Sequence, residues 1–386
     1  MNKVEISEAV KYVGVDDHEI DLFESQYEVP NGVSYNSYVI LDDKITIMDT
    51  VDAHKTEEWL SNLKEVLGEK VPTYLVISHL EPDHSGSIKA LLNVYPKLTL
   101  IGNAKTFQML PNFLESSQEQ VTVKEGECVS LGAHTLQFFM APMVHWPEVM
   151  VTYEQSEQLL FTADGFGKFG TLDIEEDWAC EARRYYFNIV GKYGMPVQTL
   201  LKKAAGLTIQ KILPLHGPVL DENLSYYIEK YNTWSSYAPE DHGVLVAYAS
   251  IHGNTAEAAK LMAKELKEAG VKKVAITDLS RDDQAEAVED AFRYDRMVLA
   301  AASYDGGVFP PMEEFLMHLR AKTYQNRTVA IIENGSWAPT ASRVMKEYLG
   351  AMKNITVLET EVKMISTVKP ETKEAIKELA KELAAL

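Results

Sequence analysis

The sequence predicts an α/β protein in two modules: a layered sandwich over residues 1–240 and a doubly wound, parallel five-stranded sheet over residues 241–386. Three observations carry this. Short apolar runs in the first part begin close together and then alternate with helical stretches, as in strands that start antiparallel and continue with helices between them. After Tyr237-Ala238-Pro239-Glu240-Asp241-His242-Gly243 the texture changes to a strict β-α repeat. That repeat counts five units, which fits a doubly wound sheet with its ligand site at the carboxyl ends of the strands.

Taken in order, the expected strands of the first module are residues 37–41, 45–49, 74–77, 98–102, 135–139 and 159–162, each a short apolar run. Helices are expected over 56–67 and 87–94. In the second module, strands at 244–248, 273–276, 297–301, 329–332 and 356–358 precede helices at 256–269, 284–292, 312–319, 341–348 and 371–385. The last of these is rich in Lys, Glu and Ala, a solvated face with a core stripe. No short-period repeat or low-complexity tract is present, which excludes a solenoid.

At 386 residues, 46% hydrophobic and 24% charged, the chain has the composition of a globular protein of two domains. A formal charge of −20 argues against a nucleic-acid partner, because phosphate binding needs Lys and Arg. The opening residues lack the apolar segment of a signal peptide, and no apolar run reaches the length of a membrane span. Only Cys128 and Cys180 are present, too few for a disulfide framework or a four-cysteine cluster. A reducing cytoplasm, with no membrane association, is the expected setting.

The densest chemistry lies in Ser78-His79-Leu80-Glu81-Pro82-Asp83-His84-Ser85-Gly86, directly after the apolar run 74–77. A loop leaving a strand can aim His79, Glu81, Asp83 and His84 into one cavity, and mixed imidazole and carboxylate ligands suit borderline divalent metals. Three more candidates follow, each after apolar residues and close before Gly or Pro: His145 in Val144-His145-Trp146-Pro147, Asp164 in Ala163-Asp164-Gly165, and His216 in Leu215-His216-Gly217-Pro218. His18, His54, His134, His242 and His318 lack ligand-like neighbours in sequence and read as surface or structural.

This ordered set, H-x-E-x-D-H then His, Asp and His, resembles the metallo-β-lactamase superfamily over roughly the first 240 residues, including Asn36-Ser37-Tyr38 and Met48-Asp49-Thr50. The resemblance implies an αββα sandwich. Glu81 stands where the hydrolases carry a second His, and in this the chain is similar to the flavodiiron proteins, or A-type flavoproteins. That resemblance implies one iron held by His79, Glu81 and His145, a second by Asp83, His84 and His216, and Asp164 bridging the two. In that family the His84 position is not always a ligand.

The substitution has a physical reading of its own. Four imidazoles and three carboxylates leave two divalent ions with a net charge of about +1. An added carboxylate favours the ferric over the ferrous state, by up to about 8 kcal/mol at ~2 Å and an effective dielectric of ~20. Zinc, with no redox change, gains nothing from it.

In the second module, Ser250-Ile251-His252-Gly253-Asn254-Thr255 joins the first strand to its helix, where hydroxyls, a glycine and a helix N-terminus suit a phosphate. Two later strand ends, Ser303-Tyr304-Asp305-Gly306-Gly307 and Asn334-Gly335-Ser336-Trp337-Ala338, put an aromatic beside glycine, fit for stacking on a flat ring. All three loops resemble those of flavodoxins, which bind FMN. His252 departs from the hydroxyl residue common there, although an imidazole N–H can still donate to a phosphate.

Together the resemblances imply FMN and two Fe ions as cofactors. Reduced FMN would feed a non-haem diiron site that reduces O2 to water or NO to N2O. They also imply a head-to-tail homodimer or dimer of dimers, and a separate small donor such as rubredoxin or a reduced deazaflavin. Tyr193, in Gly191-Lys192-Tyr193-Gly194, is by the same resemblance a catalytic proton donor near the irons. A zinc hydrolase of the lactamase superfamily fused to a flavin module is the alternative; it predicts ester turnover independent of flavin and tolerant of Glu81→His. A third reading, an electron carrier with a degenerate metal domain, predicts FMN without metal.

Overall fold

The computed structural model describes residues 4–386. By internal contacts the chain forms two compact units, one of residues up to Tyr186 with Met195–Asn232, the other of Phe187–Gly194 with Thr233–Leu386. A single junction after residue 240 was expected; the chain instead passes between units more than once. Phe187 stacks on Phe292 at 4.2 Å, and Asn188 donates to the Ala285 carbonyl, which is why the short segment groups with the second unit.

The first unit is built on two large sheets, with two short two-stranded ones beside them. One large sheet has strands Val10–Tyr12, Tyr38–Ile40, Thr46–Met48, Tyr74–Val76, Thr99–Asn103 and Gln120–Val123 side by side in chain order. Its first two pairings are antiparallel and the rest parallel, the switch expected once helices enter the connections. The other orders Cys128–Ser130, Thr135–Met140, Met150–Glu154, Leu159–Phe161 and Lys211–Leu213, antiparallel except for the last pair. Tyr38, Met48, Val76 and Ile101 of one sheet share a buried cluster with Phe138, Met150, Phe161 and Leu213 of the other, so this module is a sandwich with its core between the sheets. Helix Thr56–Leu67 follows its prediction to the residue, burying Trp59, Leu63 and Leu67.

The second unit carries one parallel sheet in the order Val274–Asp278, Asp241–Ala249, Tyr294–Tyr304, Gln325–Asn334, Lys353–Met364. This 2-1-3-4-5 order is that of the flavodoxin-like sheet. Val244, Val246, Val298, Ala330 and Ile332 are buried on one face beneath helices Asn254–Glu268 and Pro370–Ala384. The strands run longer than predicted, at both ends for all but Lys273–Ile276, which begins a residue later, because backbone pairing continues through polar residues that period counting stops at, most of all in the largely exposed edge strand Lys353–Met364. No helix among the described residues is long and apolar enough to cross a membrane.

Candidate metal centre and flavin cleft

In the first unit, the chain leaves strand Tyr74–Val76 and reaches His79 and Glu81 in a short irregular segment. Asp83 and His84 then sit on a one-turn helix, Pro82–Ser85, rather than in the loop expected. Pro82 at its first position pre-sets the helical φ, which turns Asp83 and His84 inward together. His145 comes from the connection before Met150–Glu154, Asp164 from just past Leu159–Phe161, and His216 from just past Lys211–Leu213. Strand ends of both sheets thus deliver these side chains to one place.

The seven side chains fall into two groups, His79, Glu81, His145 and Asp164, and Asp83, His84 and His216, each with its ligand atoms within 4.8 Å of one another. Asp164 joins them. One of its oxygens lies 3.3 Å from His79 Nε2 and 3.1 Å from His145 Nε2, and the other 3.0 Å from His84 Nε2 and 3.8 Å from His216 Nε2. Glu81 lies 2.9 Å from His145 and 3.1 Å from His79, and Asp83 is 3.1 Å from His216 and 3.3 Å from His84. His84 therefore turns the same nitrogen into the cluster as its neighbours do.

Several of these atoms are buried without a hydrogen bond among the described residues: both oxygens of Asp83, His145 Nε2, His216 Nε2 and one oxygen of Asp164. Such atoms cost free energy unless something accepts their lone pairs. Two divalent cations would, and the donor set fits them.

The electrostatics agree. Burial opposes a proton on His79, but the Asp164 charge and hydrogen bonds to Asp164, Glu148 and Glu81 outweigh it and hold its pKa well above the usual range. In His145, burial is likewise outweighed by Asp164 and Glu81, which push it up to about 9. Burial would raise Asp164, yet His79 and His84 hold it far below an ordinary carboxyl. Protons on the imidazoles thus occupy the electrostatic role a metal ion would take, and metal binding displaces them.

Sequence reasoning missed Glu148, Tyr185 and Glu24 around this cluster, though not Trp146, whose place beside His145 reads as pocket wall. Glu148 is fully buried and accepts from His79 Nδ1–H at 2.7 Å and Leu80 N–H at 2.8 Å, fixing the tautomer that leaves Nε2 free. Only its place three residues after His145 could have flagged it. Trp146 stands edge-on to His79 at 5.2 Å, as pocket wall. Tyr185 lies 5.5 Å from the His216 ring, and burial, then Asp164, Asp83 and Glu81, push its phenol pKa far up. In sequence it is one of a run of helical aromatics indistinguishable from core. Glu24, on a hairpin turn at positive φ, reaches Glu81; burial and that neighbouring anion push it up to about 7.

Tyr193 ends the turn Gly191–Tyr193, half-buried, in the segment that groups with the second unit. Among the histidines read as structural, His18 lies beside Asp16 and Asp173 on the exposed surface, while His54, His134 and His242 each pair with aspartates. Asp17, Asp42 and Asp295 lie far in sequence from the histidines they pair with, which is why local context did not show them, whereas Asp16 and Asp52 lie two residues before His18 and His54.

In the second unit, a cleft of about 560 Å³ opens at the carboxyl ends of the parallel strands. It is lined by Ser250, His252, Asn254 and Thr255, by Ser303, Tyr304, Asp305 and Gly306, and by Asn334, Gly335, Ser336, Trp337 and Ala338. Of the predicted residues only Gly253 and Gly307 stand back. Gly253, at φ +92°, makes the left-handed turn into the helix and donates to Ser250 Oγ; Gly307 pairs with Tyr304. Ile251, Ala302, Thr340 and Ser366 also line the cleft and were missed. Asn334 ties the floor together, donating to Thr255 Oγ1 and the Ser366 carbonyl and accepting from Ser366 N–H. Trp337 is 83% exposed, so it serves the rim and not the core.

A sandwich bearing a two-group His/carboxylate cluster, followed by a flavodoxin-like sheet with an open cleft, defines a two-module flavoprotein class. Residues 33–217 match the profile of the ODP family beta lactamase, and residues 245–384 that of the flavodoxin domain. The chain belongs to the flavodiiron family. It is 32% identical over 281 residues to diflavin flavoprotein A 1 of Synechocystis, matching 71% of this chain and 49% of that one. The chain thus spans about half the length of that relative. It is 27% identical to a nitric oxide reductase of Moorella thermoacetica, covering 91% of this chain and 90% of the relative. In structure it is similar to the rubredoxin oxygen:oxidoreductase of Desulfovibrio gigas, with a TM-score of 0.92, 24% identity and coverage of 99% and 97%.

Proposed function

We propose that the cluster of the first unit holds two iron ions, that the cleft of the second holds FMN, and that the protein reduces O2 to water or NO to N2O. The observation that carries this is the cluster itself: seven ligands in two groups that share Asp164, with Glu81 supplying a carboxylate where redox iron gains from one. His79, Glu81 and His145 would hold one ion, Asp83, His84 and His216 the other. The pair would supply reducing equivalents and two adjacent binding positions for a diatomic gas.

The chain's own residues do the rest. Glu148 holds the His79 ring in place, and Tyr185 keeps a neutral hydroxyl beside three carboxylates. Glu24 sits at Glu81 with a proton near neutrality. Tyr193 is a further proton donor in this reading. O2 reduction consumes four electrons and four protons, and coupling two NO consumes two of each. The electrons come from a small protein donor or a deazaflavin through FMN. A head-to-tail homodimer and a cytoplasmic setting belong to the same proposal.

Iron quantitation with anaerobic NO consumption and a matching O2 assay tests it. Bound iron with flavin-dependent turnover is expected; zinc alone with no gas turnover refutes it.

A further inference from the structure

A flavin phosphate brings a charge approaching about −2 at neutral pH, and the cleft has little to meet it with. Among the described residues that line the cleft there is no Lys or Arg; the ionisable ones are His252, Tyr304 and Asp305. The chain around it is acidic, with a formal charge of −20. His252 is therefore the lining residue able to turn cationic.

Its place suits that role. His252 comes one residue before Gly253, whose φ of +92° turns the chain into helix Asn254–Glu268. Gly253 has no side chain to cap this helix, so the leading N–H groups are left for a ligand. Ser250 Oγ accepts from Gly253 N–H at 3.1 Å, and Thr255 Oγ1 accepts from Asn334 Nδ2 at 3.2 Å. Each hydroxyl keeps its hydrogen to donate. All these donors are neutral. The His252 side chain is exposed, lines the cleft and has no ion-pair partner among the described residues.

We propose that His252 is the specificity residue for the flavin phosphate, binding it as the imidazolium, so that FMN is held together with a proton taken from solvent. The proposal rests on the flavin reading of the cleft. Imidazole is the side chain whose charge changes between about pH 5 and 8, which makes FMN affinity depend on pH. The ring gains an anionic partner in the complex, so its contribution is full at low pH and is lost as pH rises. No electron moves. The charged and titratable groups on neighbouring elements are Asp305 and Tyr304 across the cleft, Glu257 in the first turn of its own helix, and Asp278 and Asp282 beside Tyr248, in the strand that leads into the loop. Arg343 approaches the Gly306 carbonyl at 3.5 Å, but its guanidinium pairs with Glu347 at 2.8 Å. A neutral imidazole that donates an ordinary hydrogen bond is the competing account.

The test compares FMN binding by the flavin-free full chain and by His252→Gln, which keeps an N–H donor without the charge. Flavin fluorescence gives both Kd values at about pH 6 and about pH 8.5, on either side of the imidazole titration, with riboflavin as the control that lacks phosphate. The ratio of variant to wild type cancels the phosphate's own second ionisation, near about pH 6. For FMN it should be about tenfold at the lower pH and within about twofold at the higher, with the riboflavin ratio near one at both. Calorimetry at the midpoint, in two buffers of different ionisation heat, should show more protons taken up per FMN by the wild type than by the variant. An FMN ratio that does not change with pH overturns the proposal, as does equal proton uptake or a riboflavin ratio that follows the FMN one. If the wild type binds neither flavin, the flavin reading of the cleft has failed and this proposal with it. Tight FMN binding with a flat ratio removes His252 alone.

Discussion

Removing the Glu148 carboxylate should loosen one metal position and leave the other alone. Glu148 is fully buried, and one of its oxygens takes both the His79 Nδ1–H, at 2.7 Å, and the Leu80 N–H, at 2.8 Å. Burial raises its pKa, but the bond to His79 outweighs this, so the group is an anion aimed at the back of a ligand. Such partners raise ligand basicity and are worth about 10–100-fold in metal affinity. Glu148→Gln keeps the shape and one acceptor but loses the charge, which places it near the lower figure, about 1.4 kcal/mol. Glu148→Ala also frees the ring to rotate and belongs near the upper one.

Because His79 groups with Glu81, His145 and Asp164, only one of two binding steps should weaken. The assay is anaerobic competition of metal-free protein with a chromophoric chelator for Fe(II) or Co(II), alongside thermal unfolding. If both variants stay folded and bind both equivalents as tightly as wild type, the reasoning is refuted.

Three further outcomes are expected. Glu81→His should move the metal content from iron towards zinc when the protein is loaded from an equimolar mixture; an unchanged ratio by mass spectrometry would contradict the role given to this carboxylate. Trp337→Ala should leave the melting temperature alone, since the indole is 83% exposed, yet raise the FMN Kd roughly fivefold, about 1 kcal/mol of stacking. Flavin fluorescence titration reads this, and equal affinities would remove Trp337 from the site.

Asp42 gives a pH-dependent case. Burial opposes its charge, but the N–H groups of His134, Asp43 and Ala133 and the His134 ring hold its pKa down at about 2. The folded value lies below the unfolded 3.8, so the stabilisation is present in full above pH 3.8 and lost as pH falls through 2. Asp42→Ala should cost about 1 kcal/mol at neutral pH, allowing for solvent screening. Denaturant titrations should show the gap closing towards pH 2, and a gap independent of pH would disprove the account.

The membership of the cluster was legible because chemistry and spacing coincide: few alternatives explain His79, Glu81, Asp83 and His84 within six positions before three ordered partners. Period counting found the three central parallel strands of the second unit for a similar reason, since each is a buried apolar run between turn residues, and the two edge strands from their apolar alternation. It missed Gln120–Val123, whose face is half exposed, and helices 178–185 and 194–204, where buried Arg183 and Arg184 and an internal Pro196 break the expected pattern. Glu148, Tyr185 and Glu24 act through neighbours distant in sequence. Apart from Glu148's place three residues after His145, nothing in their local context separates a residue beside the cluster from ordinary core or surface.

Phe187–Gly194 has a practical consequence for dissecting this protein. The segment belongs to the second unit although it precedes the rest of that unit by some forty residues. A fragment started at residue 241 would omit it, uncovering the Phe292 ring that Phe187 covers and the Ala285 carbonyl that Asn188 satisfies. Such a piece should be sticky in solution. A circularly permuted or fused version that restores the eight-residue strap is the better route to an isolated flavin module.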